Sequence, residues 1–484
     1  MSFQLSPDVD KNRIFLIQRS ALGERLDCEY YQPSHYHDLQ LLKASPYRND
    51  VLDHVCLRIV DGPFGSSIKS QDYVESGIPF FRVADVTRGK GSVKTDDLIY
   101  ITEEAHQKII RSRVVPGDVV IAKTGATMGA ASLVPANIPE ANIRGDLAAL
   151  SLNQNDCLPQ YIVIYINTNI GQRLFWRLDS GGTRGRVVIG NLKKYPIVIP
   201  PKEIQERIIV RMDTAYAAKK QKEEEAQRLL DSIDDYLLSE LGINLPEPEE
   251  NTIQNRIFYR SLKMVSGGRI DPYHYKNIFL KTLSSIKESK YQNRTLSQIS
   301  KSIINGYDYR EFCDSGRVYL RVSNIRKNEF DLQETKFIPE FAIEKDIALA
   351  QGDLLITRKG SYGISVAVDA SVSQAIISSE IFRVRFSNLN KIHPYYISAY
   401  LNSKIGQIYF DRIKTGTIMG HISQEVLQYT PVIVPPLENQ LEIVDHITAI
   451  RTQAKQLRQA AAAELEQAKQ EVEAMILGER GNKA

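Results

Sequence analysis

Hydrophobic positions along the chain follow two regimes. Short apolar runs punctuated by Gly, Asn and Ser predict buried β-strands: "IPFFRV", "DVVIA" and "YPIVIP" in the first half, "DLLIT", "IFRVRF" and "TPVIVP" in the second. Between them, "EEAHQKIIRSRV" and "HPYYISAYLNSKIGQIYF" predict short helices. The second regime starts at two Pro-Pro pairs. After Pro200-Pro201 about 40 residues run without Gly or Pro, with Ile204, Ile208, Met212, Ala215, Leu229, Ile233 and Leu237 as an intermittent apolar stripe at helical spacing. After Pro435-Pro436 a second such run carries Ile443, Ile447, Ile450, Ala454, Leu457, Ala461, Leu465, Ala468 and Val472. Each proline fixes its backbone and lacks an amide hydrogen, so the pair ends a strand and is tolerated in a helix's first turn. Two long helices are predicted, each about 60 Å at 1.5 Å per residue.

The two halves say the same thing. "RLDCEYY" at 25–31 answers "RIDPYHY" at 269–275, and "SGIPFFRVADV" at 76–86 answers "SGRVYLRVSNI" at 315–325. "PGDVVIAKTGATMG" at 116–129 answers "QGDLLITRKGSYG" at 351–363, and "SGGT" at 180–183 answers "KTGT" at 414–417. The offset drifts only from 244 to 234, so a unit of roughly 240 residues is duplicated, far longer than a solenoid repeat. The first 24 residues show no counterpart, and copy two answers "GPFGSS" only with "NGYDYR".

The expected architecture is mixed α/β (α+β): two duplicated globular domains separated by two long helices that pair as an antiparallel coiled coil, since a narrow stripe needs a partner stripe. The boundaries follow. An N-terminal extension and first globular domain take 1–200, the first long helix 201–241 and a linker 242–268. The second domain takes 269–436, the second long helix 437–477 and a tail 478–484.

Composition narrows the class. Hydrophobic content of 43% and charged content of 25% belong to a globular chain. A net charge of +3, from 61 basic and 58 acidic residues, neither demands nor excludes a nucleic-acid partner. The four cysteines form no CxxC pair, which fits a reducing compartment and makes the cytoplasm the default location. The start lacks a signal-peptide core, and no run approaches the roughly 20 apolar residues that span a bilayer, so no membrane association is expected.

Catalytic patterns are missing where they would be sought. In "GDVVIAKTGATMG" Lys123 precedes Gly125, the wrong order for a Walker loop. In "VIPPK" and "IVPPL" Ile199 and Val434 stand where an amino-methyltransferase motif needs a polar residue. His35 and His37 have no Cys or carboxylate cluster to complete a metal site. The chain is expected to be non-catalytic, with no cofactor and no metal of its own. What does recur is cationic and polar residues beside strand ends and Gly turns. In copy one these are Ser66, Ser67, Lys69, Arg82, Lys123, Thr124, Arg184 and Arg186; in copy two they are Tyr307, Arg310, Arg321, Arg358, Lys359 and Lys414. Arg and Lys reach phosphates, and Arg also reads base edges in the major groove. Arg82 is matched with Arg321, and Lys123 with Lys359.

These features together resemble the DNA specificity subunits of type I restriction-modification systems. The residues carrying the resemblance are "GPFGSSIKSQDYVESGIPFFRVADV", "GDVVIAKTGATMG", "SGGTRG" and the proline-to-glutamine entries into two long helices, spanning about residues 25 to 477. The resemblance implies two target recognition domains, each reading one half of a bipartite, asymmetric sequence in double-stranded DNA. It implies that the helix pair acts as a ruler between them. It also implies two methyltransferase subunits carrying S-adenosylmethionine, bound through exposed helix faces near Gln205, Arg211 and Gln440, and translocase-nuclease subunits using ATP and Mg2+. Two alternatives remain: a specificity subunit for a fused nuclease-methyltransferase, and a coiled-coil scaffold that binds no DNA.

Overall fold

The structure is a computed structural model of the chain; it describes all residues except 1–4, 7, 11–12, 24, 64–66, 87–90, 182–184, 248, 251, 266–268, 341–346, 417–419 and 479–484. Residues fall into two compact units. The first comprises Met1–Glu224 with Leu457–Ala484, the second Glu225–Gln456.

In the first unit the central element is an antiparallel four-stranded sheet in the order Cys56–Asp61, Leu147–Leu152, Val119–Ala122, Ala131–Leu133. "VVIA" is apolar at every position because this strand is covered on both faces. Val119 and Ile121 join a core built with helices, while Val120 and Ala122 join a second core against smaller strands. That smaller sheet has the order Tyr73–Val74, Tyr100–Ile101, Ile78–Phe81, Ala141–Ile143, Arg113–Val114. Helices Pro159–Asn167 and Asn169–Trp176 break at Thr168, whose hydroxyl accepts from the Gly171 amide at 3.0 Å.

The second unit repeats the plan. Its four-stranded sheet runs Ser300–Asn305, Ile381–Phe386, Leu354–Thr357, Ser365–Ala367. Leu354 and Ile356 face one core, Leu355 the other. Register repeats too: Leu147 stands opposite Ala122, and Ile381 opposite Thr357. Helices Pro394–Asn402 and Lys404–Ile413 match the earlier pair.

The long helices are Lys202–Leu241 and Leu437–Leu477. Gly242, at φ 66°, ends the first, and the Ile243 amide closes onto the Leu238 carbonyl at 2.9 Å. They pack antiparallel within each unit. In the first, Arg211 Nε donates to Glu471 Oε2 at 2.6 Å and Lys222 pairs with Glu464. In the second, Tyr236 stacks on His446 with ring centroids 3.9 Å apart. The apolar stripes do more than zip together: Ile208, Met212, Leu465, Ala468 and Val472 belong to the first unit's main core, and Leu237, Ile443 and Ile447 to the second's. Each globular part also borrows a cap from the later half of a long helix. Glu473 accepts from the Ile170 amide at 3.0 Å, and Asp234 from the Lys404 amide at 3.0 Å.

One sequence expectation needs adjustment here. The repeat starts earlier than residue 25: "RIF" at 13–15 returns at 256–258, with Ile14 and Ile257 both exposed in their units. Arg25 then donates to the Asp179 carbonyl, as Arg269 does to the Ile413 carbonyl at 3.1 Å. The expected linker, 242–268, carries the short helices Ile253–Arg256 and Leu262–Val265.

Candidate nucleic-acid interface

In each unit three backbone segments meet at one end of the four-stranded sheet. In the first they are the turn after Val119–Ala122, the segment 144–146 after Ala141–Ile143, and the bridge from Thr124 to Arg186. The Lys123 amide donates to the Asp146 carbonyl at 2.9 Å, the Val187 amide to the Lys123 carbonyl at 2.9 Å and the Arg144 amide to the Phe81 carbonyl at 3.1 Å. In the second unit the Arg358 amide donates to the Glu380 carbonyl at 2.8 Å, the Ile422 amide to the Arg358 carbonyl at 3.0 Å and the Ser378 amide to the Leu320 carbonyl at 2.9 Å. Lys359 bridges to His421.

The close approach depends on one glycine per unit. A Cβ on Gly62 would stand 2.1 Å from the Arg144 carbonyl oxygen, and one on Gly306 would stand 2.1 Å from the Ile377 oxygen. Both contacts are impossible for any other residue without moving the backbone. These are the glycines of "DGPFGSS" and "NGYDYR", which explains why that single position matches where the rest of the two loops does not.

This geometry corrects the pairing of residues between copies. Lys123 is the counterpart of Arg358, and Thr124 of Lys359, one step away from the match that pairs the two lysines. It also divides the candidate residues by availability. Lys123 is 3% exposed with its Nζ 3.4 Å from Asp61 Oδ2, so it is an internal ion pair and cannot meet a phosphate. Arg82 forms a fork on the buried Asp85, at 3.2 and 3.0 Å, and a further pair with Asp97. The bond to Asp85 holds the guanidinium pKa above its ordinary value. Its matched residue Arg321 has Asn324 in place of the aspartate; its amide bonds Asn324 Oδ1 at 2.9 Å and its Nη2 the Glu334 carbonyl at 3.2 Å. Both arginines cap a single 3-10 turn. Lys414 is tied to Asp411 and the Tyr362 hydroxyl, each at 2.8 Å; burial opposes its charge, but these bonds hold its pKa above the usual lysine range.

Other candidates stay open to solvent. Ser67, Lys69, Arg186, Tyr307, Arg310 and Lys359 are exposed, while Arg310 pairs loosely with Asp308 at 3.4 Å. Thr124 is half-buried and donates to Asp146 Oδ1 at 2.9 Å. Arg358 lies half-buried, with Nη2 3.4 Å from His421 Nε2. Burial first, then the Arg358 and Lys359 charges, lower the His421 pKa, keeping the imidazole neutral as an acceptor for that guanidinium. Ser66 and Arg184 lie outside the described residues.

Sequence reasoning missed Arg144 and Asp146. With Thr124, Arg186, Tyr73 and Phe80 they line an open cleft of about 200 Å³ in the first unit. Both are exposed, and the Arg144 guanidinium has no hydrogen bond or ion pair among the described residues. The signal was present as "NIRGDL" against "IISSEI", where the arginine of one copy gives way to a serine in the other.

The expected partner face is corrected as well. Gln205 and Gln440 are fully buried rather than on an exposed helix face. Gln205 accepts from the Leu158 amide at 2.8 Å and donates to the Pro200 and Asp156 carbonyls at 2.9 and 3.3 Å. Gln440 does the same with His393, Pro435 and Lys391 at 2.8, 2.8 and 2.9 Å. Arg211 is engaged by Glu471.

Among the described residues no group of three or more His, Cys, Asp or Glu is placed to hold a metal ion, and no helix is long and apolar enough to cross a membrane.

Comparison with known proteins gives a consistent assignment. The specificity subunit of the type I restriction enzyme EcoEI of Escherichia coli is 30% identical over 134 residues, covering 26% of this chain and 22% of that protein. The chain thus aligns with only about a fifth of the length of that curated relative. A chain solved in work on complex assembly and conformational transition of the type I R-M system shares the fold with a TM-score of 0.56 and 16% identity, covering 90% of this chain and 99% of that one. The HsdS subunit from Thermoanaerobacter tengcongensis aligns at a TM-score of 0.41 and 16% identity, covering 90% of this chain and 97% of that one. The family model described as the type I restriction modification DNA specificity domain matches twice, over residues 65–229 and 288–467, taking in both sheet-end platforms. A duplicated fold with two such platforms, matched over most of its length, belongs to the type I restriction-modification DNA specificity family.

Proposed function

We propose that this chain is the non-catalytic recognition subunit of a type I restriction-modification complex, and that each globular part reads one half of a bipartite, asymmetric target in double-stranded DNA. The observation that carries this reading is the paired platform. The backbone hydrogen bonds and the glycine are the same in both units, yet the side chains displayed differ: Arg144, Gly145 and Asp146 against Ser378, Ser379 and Glu380. A duplicated catalytic fold would keep its chemistry and vary its frame; a reader of two unlike half-sites does the reverse.

Exposed cations such as Lys69, Arg186, Arg310 and Lys359 supply phosphate contacts, which set register and make binding salt-dependent. Each long helix contributes residues to both units, and its length then fixes the gap between half-sites. The solvent faces of the helices dock two methyltransferase subunits, through which translocase-nuclease subunits join. S-adenosylmethionine, ATP and Mg2+ belong to those partners.

The test is co-expression with the neighbouring methyltransferase gene followed by methylation-aware sequencing of host DNA. The expected result is one motif with two fixed halves and a fixed gap. A stable complex that leaves host DNA without any such motif would refute the proposal.

A further inference from the structure

The cleft of the first unit has a chemistry that goes beyond general DNA binding. Arg82, Lys123 and Lys414, the cations most conspicuous in sequence, are engaged internally. In the first unit Arg144 and Arg186 remain as exposed guanidinia lining the same cleft, and Asp146 lines it with them. Segment 144–146 is held from three directions. The Arg144 amide is bound to Phe81, the Leu147 amide closes onto Arg144 at 2.9 Å, and the Asp146 carbonyl accepts from Lys123. Gly62 is packed against it where no side chain fits. Side chains on such a segment are presented from a fixed frame.

A phosphate would be a poor occupant of this position, because the Asp146 carboxylate that lines the same cleft repels it. A base-pair edge is a good one. In the major groove guanine offers N7 and O6 as paired acceptors to an arginine fork, and its cytosine offers an N4 amino donor to a carboxylate. Asp146 Oδ1 is already used by the Thr124 hydroxyl, which fixes the carboxylate and leaves Oδ2 to accept.

Resting on the DNA-reading function above, we propose that Arg144 and Asp146 read a G·C base pair in the first half-site, Arg144 on guanine and Asp146 on cytosine. The second unit has no arginine at the matched place: Ser378 is buried, and Glu380 is exposed with its carbonyl accepting from the Arg358 amide. The same platform there requires an exocyclic amino group at Glu380 and reads a different pair, which makes the whole target asymmetric.

The experiment uses the full chain with its methyltransferase and methylation-aware sequencing, comparing wild type with Arg144→Ala, Arg144→Lys and Asp146→Asn. In Arg144→Ala one G·C position of the first half-site is expected to become degenerate, losing about tenfold or more in discrimination. The second half-site and the gap stay unchanged. Arg144→Lys keeps the charge but loses the fork, so it relaxes the same position; Asp146→Asn relaxes the cytosine requirement there. An unchanged motif in Arg144→Ala overturns the assignment. So does a wild-type motif in Arg144→Lys with uniformly weaker methylation in Arg144→Ala, the signature of a phosphate contact. Loss of all methylation in both Arg144 variants overturns it too, since that places the residue in the frame. A wild type without any bipartite motif instead refutes the function on which the proposal rests.

Discussion

Replacing Gln205 by alanine discriminates sharply between a helix-face residue that meets a partner and an internal clamp. The side chain is fully buried and satisfies one amide and two carbonyls, at Leu158, Pro200 and Asp156. Those groups lie where a strand stops at a Pro-Pro pair and where helix Pro159–Asn167 begins, so secondary structure supplies no substitute partners. A net hydrogen bond contributes about 1 kcal/mol, and a buried group left unpaired costs more. Three lost bonds therefore come to about 3 kcal/mol, or roughly a hundredfold in the local opening equilibrium. Hydrogen exchange read by mass spectrometry resolves the two units separately. Gln205→Ala is expected to speed exchange near Leu158 and in the first turns of the first long helix, leaving the second unit untouched. Gln440→Ala is expected to do the converse around His393. Unchanged protection together with weakened methyltransferase binding would refute the clamp and restore the exposed-face reading.

Two further predictions concern charge. Arg82→Ala removes the fork on Asp85, and because the pair is partly screened the loss is about 1 kcal/mol in the first unit's stability, seen as a lower urea midpoint, with the recognised sequence unchanged. A relaxed half-site at unchanged stability would show that Arg82 leaves Asp85 to read a base. His35 and His393 have pKa values lowered first by burial, so the folded state holds them neutral while the unfolded chain protonates near the ordinary value of 6.5. Their contribution is intact above 6.5 and is lost as pH falls through it toward the lower folded value. The unfolding midpoint should fall between about pH 7.5 and about 5.5, and His35→Gln with His393→Gln should flatten the slope; an equally steep slope in the double variant would contradict the assignment.

Much of the fold was legible because it rests on local rules. Apolar runs with Gly punctuation marked Val119–Ala122 and Leu354–Thr357, and the prolines marked where Lys202–Leu241 and Leu437–Leu477 begin. The duplication supplied the architecture. The candidate site was less legible, since a cation's role depends on its neighbours in space. Lys123 reads as a surface lysine beside a glycine turn, yet Asp61, far away in sequence, holds it inside. Gln205 reads as an exposed helix-entry residue because nothing local says that carbonyls on either side of it lack partners. Arg144 is hard to read from the sequence because its segment contains no repeated motif: it is marked by change between the copies rather than by likeness. The one-residue error in pairing Lys123 with Lys359 arose from aligning identical letters; the strand register, Ala122 opposite Leu147 and Thr357 opposite Ile381, decides otherwise.

The main core of the first unit contains Leu465, Ala468, Val472 and Ile476, supplied by the last helix. That has a consequence for biosynthesis. Chains emerge from the ribosome amino end first, at about 5 to 20 residues per second. The unit made first must therefore wait, its apolar face open, while the whole of Glu225–Gln456 is translated, an interval on the order of tens of seconds. The second unit is a single uninterrupted stretch and can close before its elder neighbour. Premature termination shortly before residue 457 would leave the later-made half intact and the earlier-made half unfinished, so a nonsense lesion near the end strikes the beginning.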